Sequence, residues 1–119
     1  MGSIRPREPM KDCIFCKISQ HELQSDVIVE DDKIIVFKDI HPKAKTHLLI
    51  VPKMHIHSVS AVAEGEWNLV LAMVKKAAKV ARDQGLSGYK LVFNVGRDGG
   101  QMVDHLHLHL LAGDKIELP

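Results

Sequence analysis

The hydrophobic pattern of this chain falls into short β-branched runs, one long stretch of helical period, and one run of strict alternation. Val27-Ile28-Val29-Glu30 and Lys33-Ile34-Ile35-Val36-Phe37 predict two strands joined by a tight turn at Asp31-Asp32. His41-Pro42 breaks the chain, and Thr46 to Val51 predicts a third strand stopped by Pro52. After Glu64-Gly65 the period changes. Trp67, Val70, Leu71, Val74, Ala77, Ala78 and Ala81 recur at spacings of three and four, which predicts an amphipathic helix ending near Gly85. Tyr89 to Val95 predicts a fourth strand, and Gly96 to Gly100 a loop with three glycines. Asp12 to Ser19 predicts a helical turn or two with Ile14, Phe15 and Ile18 as its apolar side. The expected fold class is α+β: a five-stranded, mainly antiparallel sheet with one long helix and a short N-terminal helix.

The strict alternation is His105-Leu106-His107-Leu108-His109-Leu110-Leu111, the predicted fifth strand. Successive strand side chains point to opposite faces, so three imidazoles, about 7 Å from one to the next, would line one face. Leu106, Leu108 and Leu110 would line the other and enter the core. A solvent-facing strand, a three-histidine metal site and nucleophilic catalysis by an imidazole all fit this pattern. The loop just upstream favours catalysis, because Gly96, Gly99 and Gly100 let backbone N–H groups approach an anion closely.

Composition narrows the partners. Sixteen Lys and Arg against fifteen Asp and Glu give a formal net charge of +1, which argues for neither nucleic acid nor membrane as the main partner. No apolar run approaches the roughly 18 residues of a membrane span. Residues 1–10 read as an expression leader, flexible or disordered, with residues 11–119 forming one domain and Met10 fitting a native start. Without a secretion signal, Cys13 and Cys16 read as a reduced pair in a cytoplasmic protein. Their spacing suits two zinc ligands, and it equally suits two small buried apolar residues.

The run His105 to Leu111 resembles the histidine triad signature, in which three histidines alternate with apolar residues. The similarity extends over about 100 residues. Cys13-Ile14-Phe15-Cys16-Lys17-Ile18 resembles that family's opening segment, and Phe37-Lys38-Asp39-Ile40 its nucleoside pocket. Thr46 to His55 resembles its central strand, while Asn94 and Gly99-Gly100-Gln101 resemble its phosphate-side segment. Among its branches the chain is most similar to the histidine triad nucleotide-binding proteins, purine nucleoside phosphoramidases.

The resemblance implies a histidine triad fold, a homodimer and a purine nucleotide ligand such as AMP or GMP. It implies hydrolysis of nucleoside phosphoramidates or acyl-nucleotide adducts through a nucleotidyl-histidine, with no catalytic metal required. His107 would be the nucleophile, its other ring nitrogen held by a backbone carbonyl that fixes the tautomer, and His109, His105 and His47 its catalytic neighbours. His109, Asn94, Gly100 and the backbone around Gln101, Met102 and Val103 would hold phosphate oxygens. Asp39 would bind the ribose hydroxyls. Ile14, Phe15, Ile18, Phe37, Ile40 and Leu49 would sandwich the base, although core packing serves Phe37 and Leu49 equally well. In several relatives a histidine matching His55 joins the cysteine pair, and His105 would complete a structural zinc site with Cys13, Cys16 and His55. Two departures stand out: Met102 replaces a small polar residue of many relatives, and the chain ends ten residues after His109. Two further readings of the same residues are a nucleotide-binding regulator with vestigial catalysis and a dinucleoside polyphosphate hydrolase. His21, His41 and His57 read as surface residues.

Overall fold

The computed structural model describes residues 8–113 and 116; most of the expected leader and the end of the short C-terminal tail lie outside the described residues. Five strands form one antiparallel sheet: β1 (Val27–Glu30), β2 (Ile34–Lys38), β3 (Thr46–Pro52), β4 (Lys90–Val92) and β5 (Leu108–Ala112). Their spatial order is β1-β2-β3-β5-β4, so the strand carrying the last histidine lies inside the sheet, between β3 and β4. Two helices complete the fold, α1 (Ile14–Ser19) and α2 (Trp67–Asp83).

Both faces of the sheet are covered, which explains why β2 and β3 read as continuous apolar runs. On one face Ile34, Val36, Leu48, Ile50, Leu106, Leu108 and Leu110 pack against Met73, Ala77, Val80 and Ala81 of α2. On the other, Ile35, Phe37, Leu49 and Val51 pack with Phe15 and Ile18 of α1. The alternation of leucine and histidine therefore separates two layers, leucines toward α2 and histidines toward α1.

Four expectations need correction. The histidine run is not wholly strand: pairing begins at Leu108, opposite Ile50, and His105 to His107 lie outside the ladder. Their backbone bonds go elsewhere, with Leu106 N–H donating to Ile56 O at 2.6 Å. The fourth strand is three residues long rather than seven, because its pairing stops where Val92 meets His109. The predicted helical stripe mixes two faces. Trp67, Leu71 and Val74 are exposed, whereas Met73 and Val80, which the stripe left out, are buried. The helix is apolar around much of its circumference, and spacing alone did not distinguish the face that meets the sheet. Finally, Ile14 stands exposed on α1 rather than on its apolar side.

The β1–β2 turn shows how one side chain fixes local structure. Asp31 Oδ1 accepts from Lys33 N and Ile34 N, both at 2.8 Å, and its Oδ2 meets Lys76 Nζ of α2 at 2.7 Å. Asp31→Ala is expected to cost about 1–2 kcal/mol in urea unfolding at pH 7, through the two backbone bonds together with the partly buried ion pair to Lys76. The Lys76 ammonium holds this carboxyl down at about 2, below its usual 3.8. Its contribution is therefore full above pH 3.8 and is lost as pH falls through about 2.

Candidate active site

His47, His55, His105, His107 and His109 collect with both cysteines on the α1 face of the sheet, whereas His21, His41 and His57 are exposed. His107 is buried, and its Nδ1 lies 2.7 Å from the backbone oxygen of His105. A carbonyl can only accept, so Nδ1 carries the proton and Nε2 keeps its lone pair. Phe15 packs edge-on against this ring at 5.1 Å, and the His109 ring lies 4.9 Å away.

The tautomer of His109 follows from a chain of bonds. Lys43 N–H donates to His47 Nδ1 at 2.9 Å, which places the His47 proton on Nε2. That Nε2–H points at His109 Nδ1, 2.9 Å away, with Asp39 Oδ2 at 3.3 Å. His109 Nδ1 is then an acceptor, and its own proton sits on Nε2. Asp39 Oδ1 accepts from His41 N at 2.9 Å, which fixes the carboxylate at the end of β2. Lys43 and the His41 backbone carry no sequence signal for these roles, since only their main-chain atoms are used.

Burial holds His109 down at about 4, with His107 and His47 adding to the effect, and burial lowers His47 and His107 as well. Both His109 and His47 protonate more readily in the unfolded chain, near 6.5. The contribution of His109 to stability is full above pH 6.5 and is lost as pH falls toward about 4, and His47 acts in the same direction. The urea midpoint is expected to be lower at pH 5 than at pH 7.5; equal midpoints would show that the fold does not hold these imidazoles neutral.

The glycine loop is braced from within. Gly96 and Gly100 take positive φ of 73° and 88°, and a Cβ on Gly100 would meet Asn94 Nδ2 at 3.4 Å. Asn94 Nδ2 donates to Gly99 O at 2.8 Å, leaving one amide hydrogen. Gln101 is buried and spent inside the loop. Its N–H goes to Gly96 O, its Oε1 takes Gly96 N–H, and its Nε2 donates to His57 O and Val103 O. Arg97 pairs with Asp104 across the loop at 2.8 Å, a brace that sequence reasoning missed although both charges flank the glycines. Among the described residues no acceptor takes the N–H of Met102 or Val103, and the Met102 side chain is exposed.

Of the six residues expected to sandwich a base, Phe15, Ile18, Phe37 and Leu49 form one buried cluster. Phe37 and Leu49 are 2% and 4% exposed, so each has little surface to offer a ligand. Ile18 and Ile40 instead flank an open cleft of about 600 Å³, which His21, Leu23, Gln24, Ser25, Asp26 and Val27 also line. Ile14 does not line that cleft.

Cys13, Cys16, His55 and His105 bring four ligand atoms within 4.8 Å of one another. Cys13 Sγ to His105 Nδ1 is 3.2 Å, Cys16 Sγ to His55 Nδ1 is 3.2 Å, and His55 Nδ1 to His105 Nδ1 is 3.2 Å. A tetrahedron with zinc bond lengths has edges of about 3.3–3.8 Å, close to these separations. His105 Nε2 donates to Pro52 O at 2.8 Å, so its bare Nδ1 faces the cluster. Burial pushes the Cys16 thiol up to about 11, and a cation would reverse that. The donor set fits zinc. Asp39, His47 and His109 also lie close enough to share an ion, but His47 already uses Nδ1 as an acceptor. Metal at its Nε2 would demand an imidazolate, so that set does not fit. With its ring in the first cluster, His105 cannot present either ring nitrogen to a substrate.

The protein-family profile described as "Scavenger mRNA decapping enzyme C-term binding" matches residues 12–117. The chain is 41% identical over 105 residues to the purine nucleoside phosphoramidase of Escherichia coli strain K12, covering 87% of this chain and 88% of that protein. Among solved structures, a histidine triad protein from Clostridium difficile superposes with a TM-score of 0.89 at 39% identity, covering 92% of this chain and 97% of that one. The chain belongs to the histidine triad family. A HIT family hydrolase from Legionella pneumophila Philadelphia 1 is 47% identical, with a TM-score of 0.87 over 91% of this chain and 98% of that one. This histidine triad protein is accordingly a hydrolase, with the α+β sheet that its strand pattern predicted. Among the described residues, no helix is long and apolar enough to cross a membrane.

Proposed function

We propose that this histidine triad hydrolase binds a purine nucleoside monophosphate group and cleaves nucleoside phosphoramidates or acyl-nucleotide adducts through a nucleotidyl-His107 intermediate. The observation that carries the reading is the bond from His107 Nδ1 to His105 O, which leaves Nε2 unprotonated in a buried site. In the first step the Nε2 lone pair attacks the α-phosphorus, and the bond from phosphorus to the amine or acyl oxygen breaks. The substituted imidazole becomes cationic, since Nδ1 keeps its proton, and His105 O stabilises that charge. In the second step water adds to phosphorus, the phosphorus–nitrogen bond breaks and His107 returns neutral, releasing the nucleoside monophosphate.

His109 Nε2–H, the Met102 and Val103 N–H groups and the second Asn94 amide hydrogen would bind phosphoryl oxygens. Gly100 would let them close on the phosphate. Met102 has no hydroxyl, so the proton for a leaving amine would come from His109 or water. The base would rest on the Ile18 and Ile40 side of the open cleft.

Asp39 would hold the ribose hydroxyls with the lone pairs left by His41 N–H. Asp39→Ala is expected to weaken AMP binding by about 1.5–3 kcal/mol in calorimetry. It should also abolish any preference for AMP over its 2′,3′-dideoxy analogue. Retained discrimination would move the ribose elsewhere.

Zinc held by Cys13, Cys16, His55 and His105 would close the segment before α1 onto the triad; no chemical step requires it. Two copies would associate through α2 and the outer edge of β4. The exposed Trp67, Leu71 and Val74, and Leu91 on the edge strand, support this. Comparing hydrolysis of an adenosine phosphoramidate with that of a diadenosine polyphosphate tests the reaction class. Preference for the second would favour the dinucleotide hydrolase reading; turnover of neither, with AMP still bound, would favour a regulator. A formal net charge of +1 gives nucleic acid and membrane no part in this reading, and a reduced Cys13–Cys16 pair would suit the cytoplasm.

A further inference from the structure

His105 belongs to two assemblies at once. Its ring completes the cysteine–histidine cluster, with Nδ1 3.2 Å from Cys13 Sγ and 3.5 Å from Cys16 Sγ. Its backbone oxygen accepts the Nδ1–H of His107 at 2.7 Å. The other end of that same peptide is tied to the same region, because Leu106 N–H donates to Ile56 O, beside the cluster residue His55. Phe15, between Cys13 and Cys16 in sequence, packs edge-on against both rings, at 5.9 Å from His105 and 5.1 Å from His107. The His105 ring and the Ile56 bond thus meet at the peptide whose carbonyl fixes the His107 tautomer, and Phe15 links the cluster to the His107 ring directly. The His105 ring has no slack, being fully buried with Nε2 bonded to Pro52 O.

We propose that His105 is a positioning residue through which the Cys13–Cys16–His55–His105 cluster orients His107, so that metal occupancy sets the rate of the chemical step as well as the stability of the fold. The claim rests on the zinc and nucleophile readings above. Its logic is geometric. A carbonyl displaced by about an ångström no longer holds Nδ1–H, and misplacement of that size can cost up to about a hundredfold in rate. A His107 released from that carbonyl can move its proton to Nε2, and that tautomer has no lone pair at the attacking atom. The phosphate donors lie on the glycine loop and β5, outside the cluster, so binding should change less than turnover.

The experiment uses the full chain, labelled with ¹⁵N-histidine, at one fixed pH above 7.5. Its ring spectra are recorded zinc-loaded and chelator-stripped, and the His107 signals are identified by their absence in His107→Gln. The loaded protein should show Nδ1–H and bare Nε2 at His107; the stripped protein should show both tautomers. His55→Gln, which removes a ligand together with the ring packed on His105 at 4.9 Å, should match the spectrum of the stripped wild type with or without zinc. For an adenosine phosphoramidate, kcat should fall about tenfold to a hundredfold with KM nearly unchanged. If stripping unfolds the chain, cadmium replaces zinc, since its longer bonds keep the cluster filled while displacing His105; the His107 signals should still shift.

Identical His107 spectra in all folded forms, or failure to take up zinc, would overturn the proposal. A spectral change with no turnover in any form would support the coupling and overturn the proposed activity instead.

Discussion

Replacing His107 by alanine is expected to lower turnover of an adenosine phosphoramidate on the order of 10⁴-fold or more, because the variant lacks the atom that forms the intermediate. The phosphate donors of the loop and of β5 remain, so AMP affinity should change by less than about tenfold. Intact-protein mass spectrometry after brief mixing should find a nucleotidyl adduct on wild type and none on the variant. The substitution opens a cavity beside Phe15 and leaves His105 O without its donor, so the urea midpoint must be checked alongside. A variant that retains activity, or a wild type that turns over with its adduct on another residue, would remove His107 from the mechanism.

The second large effect is on stability. Free zinc at a thousand times its Kd adds about 4 kcal/mol to a folded state that alone can bind it. For a domain of this size that corresponds to about 15 °C in Tm. Chelation should therefore lower Tm by about that amount, and zinc should restore it. Cys16→Ser should melt near the stripped value with or without zinc, because it removes a buried ligand atom. Elemental analysis finding no zinc in wild type, or a Tm indifferent to chelator, would return both cysteines to simple packing.

Much of this could be read from local pattern. The alternation of histidine and leucine announced two layers, and the turn at Asp31-Asp32 announced the β1–β2 hairpin. Helix α2 ends within two residues of the glycine that was expected to stop it. What escaped was most of what depends on main-chain partners, near or far along the chain. The departure of His105 to His107 from the ladder follows from Ile56 O, some fifty residues earlier. The family resemblance implied a backbone carbonyl on the second ring nitrogen of His107, and His105 O is that carbonyl; the tautomer of His47 escaped because it is set by Lys43 N, an atom every residue possesses. The resemblance placed the backbone of Gln101 among the phosphate contacts, but its N–H goes to Gly96 O and its buried side chain shapes the loop. Phe37 and Leu49 lie beneath Phe15 and Ile18 because α1 folds over that face, a tertiary contact with no period of its own.

The unequal faces of α2 have a practical consequence. The chain contains one tryptophan, and it stands at the start of the exposed stripe, 44% accessible, outside the buried core. Intrinsic fluorescence of this protein is therefore an optical gauge of that outer surface. Its emission colour reports what lies against the helix and stays nearly silent while the interior loosens.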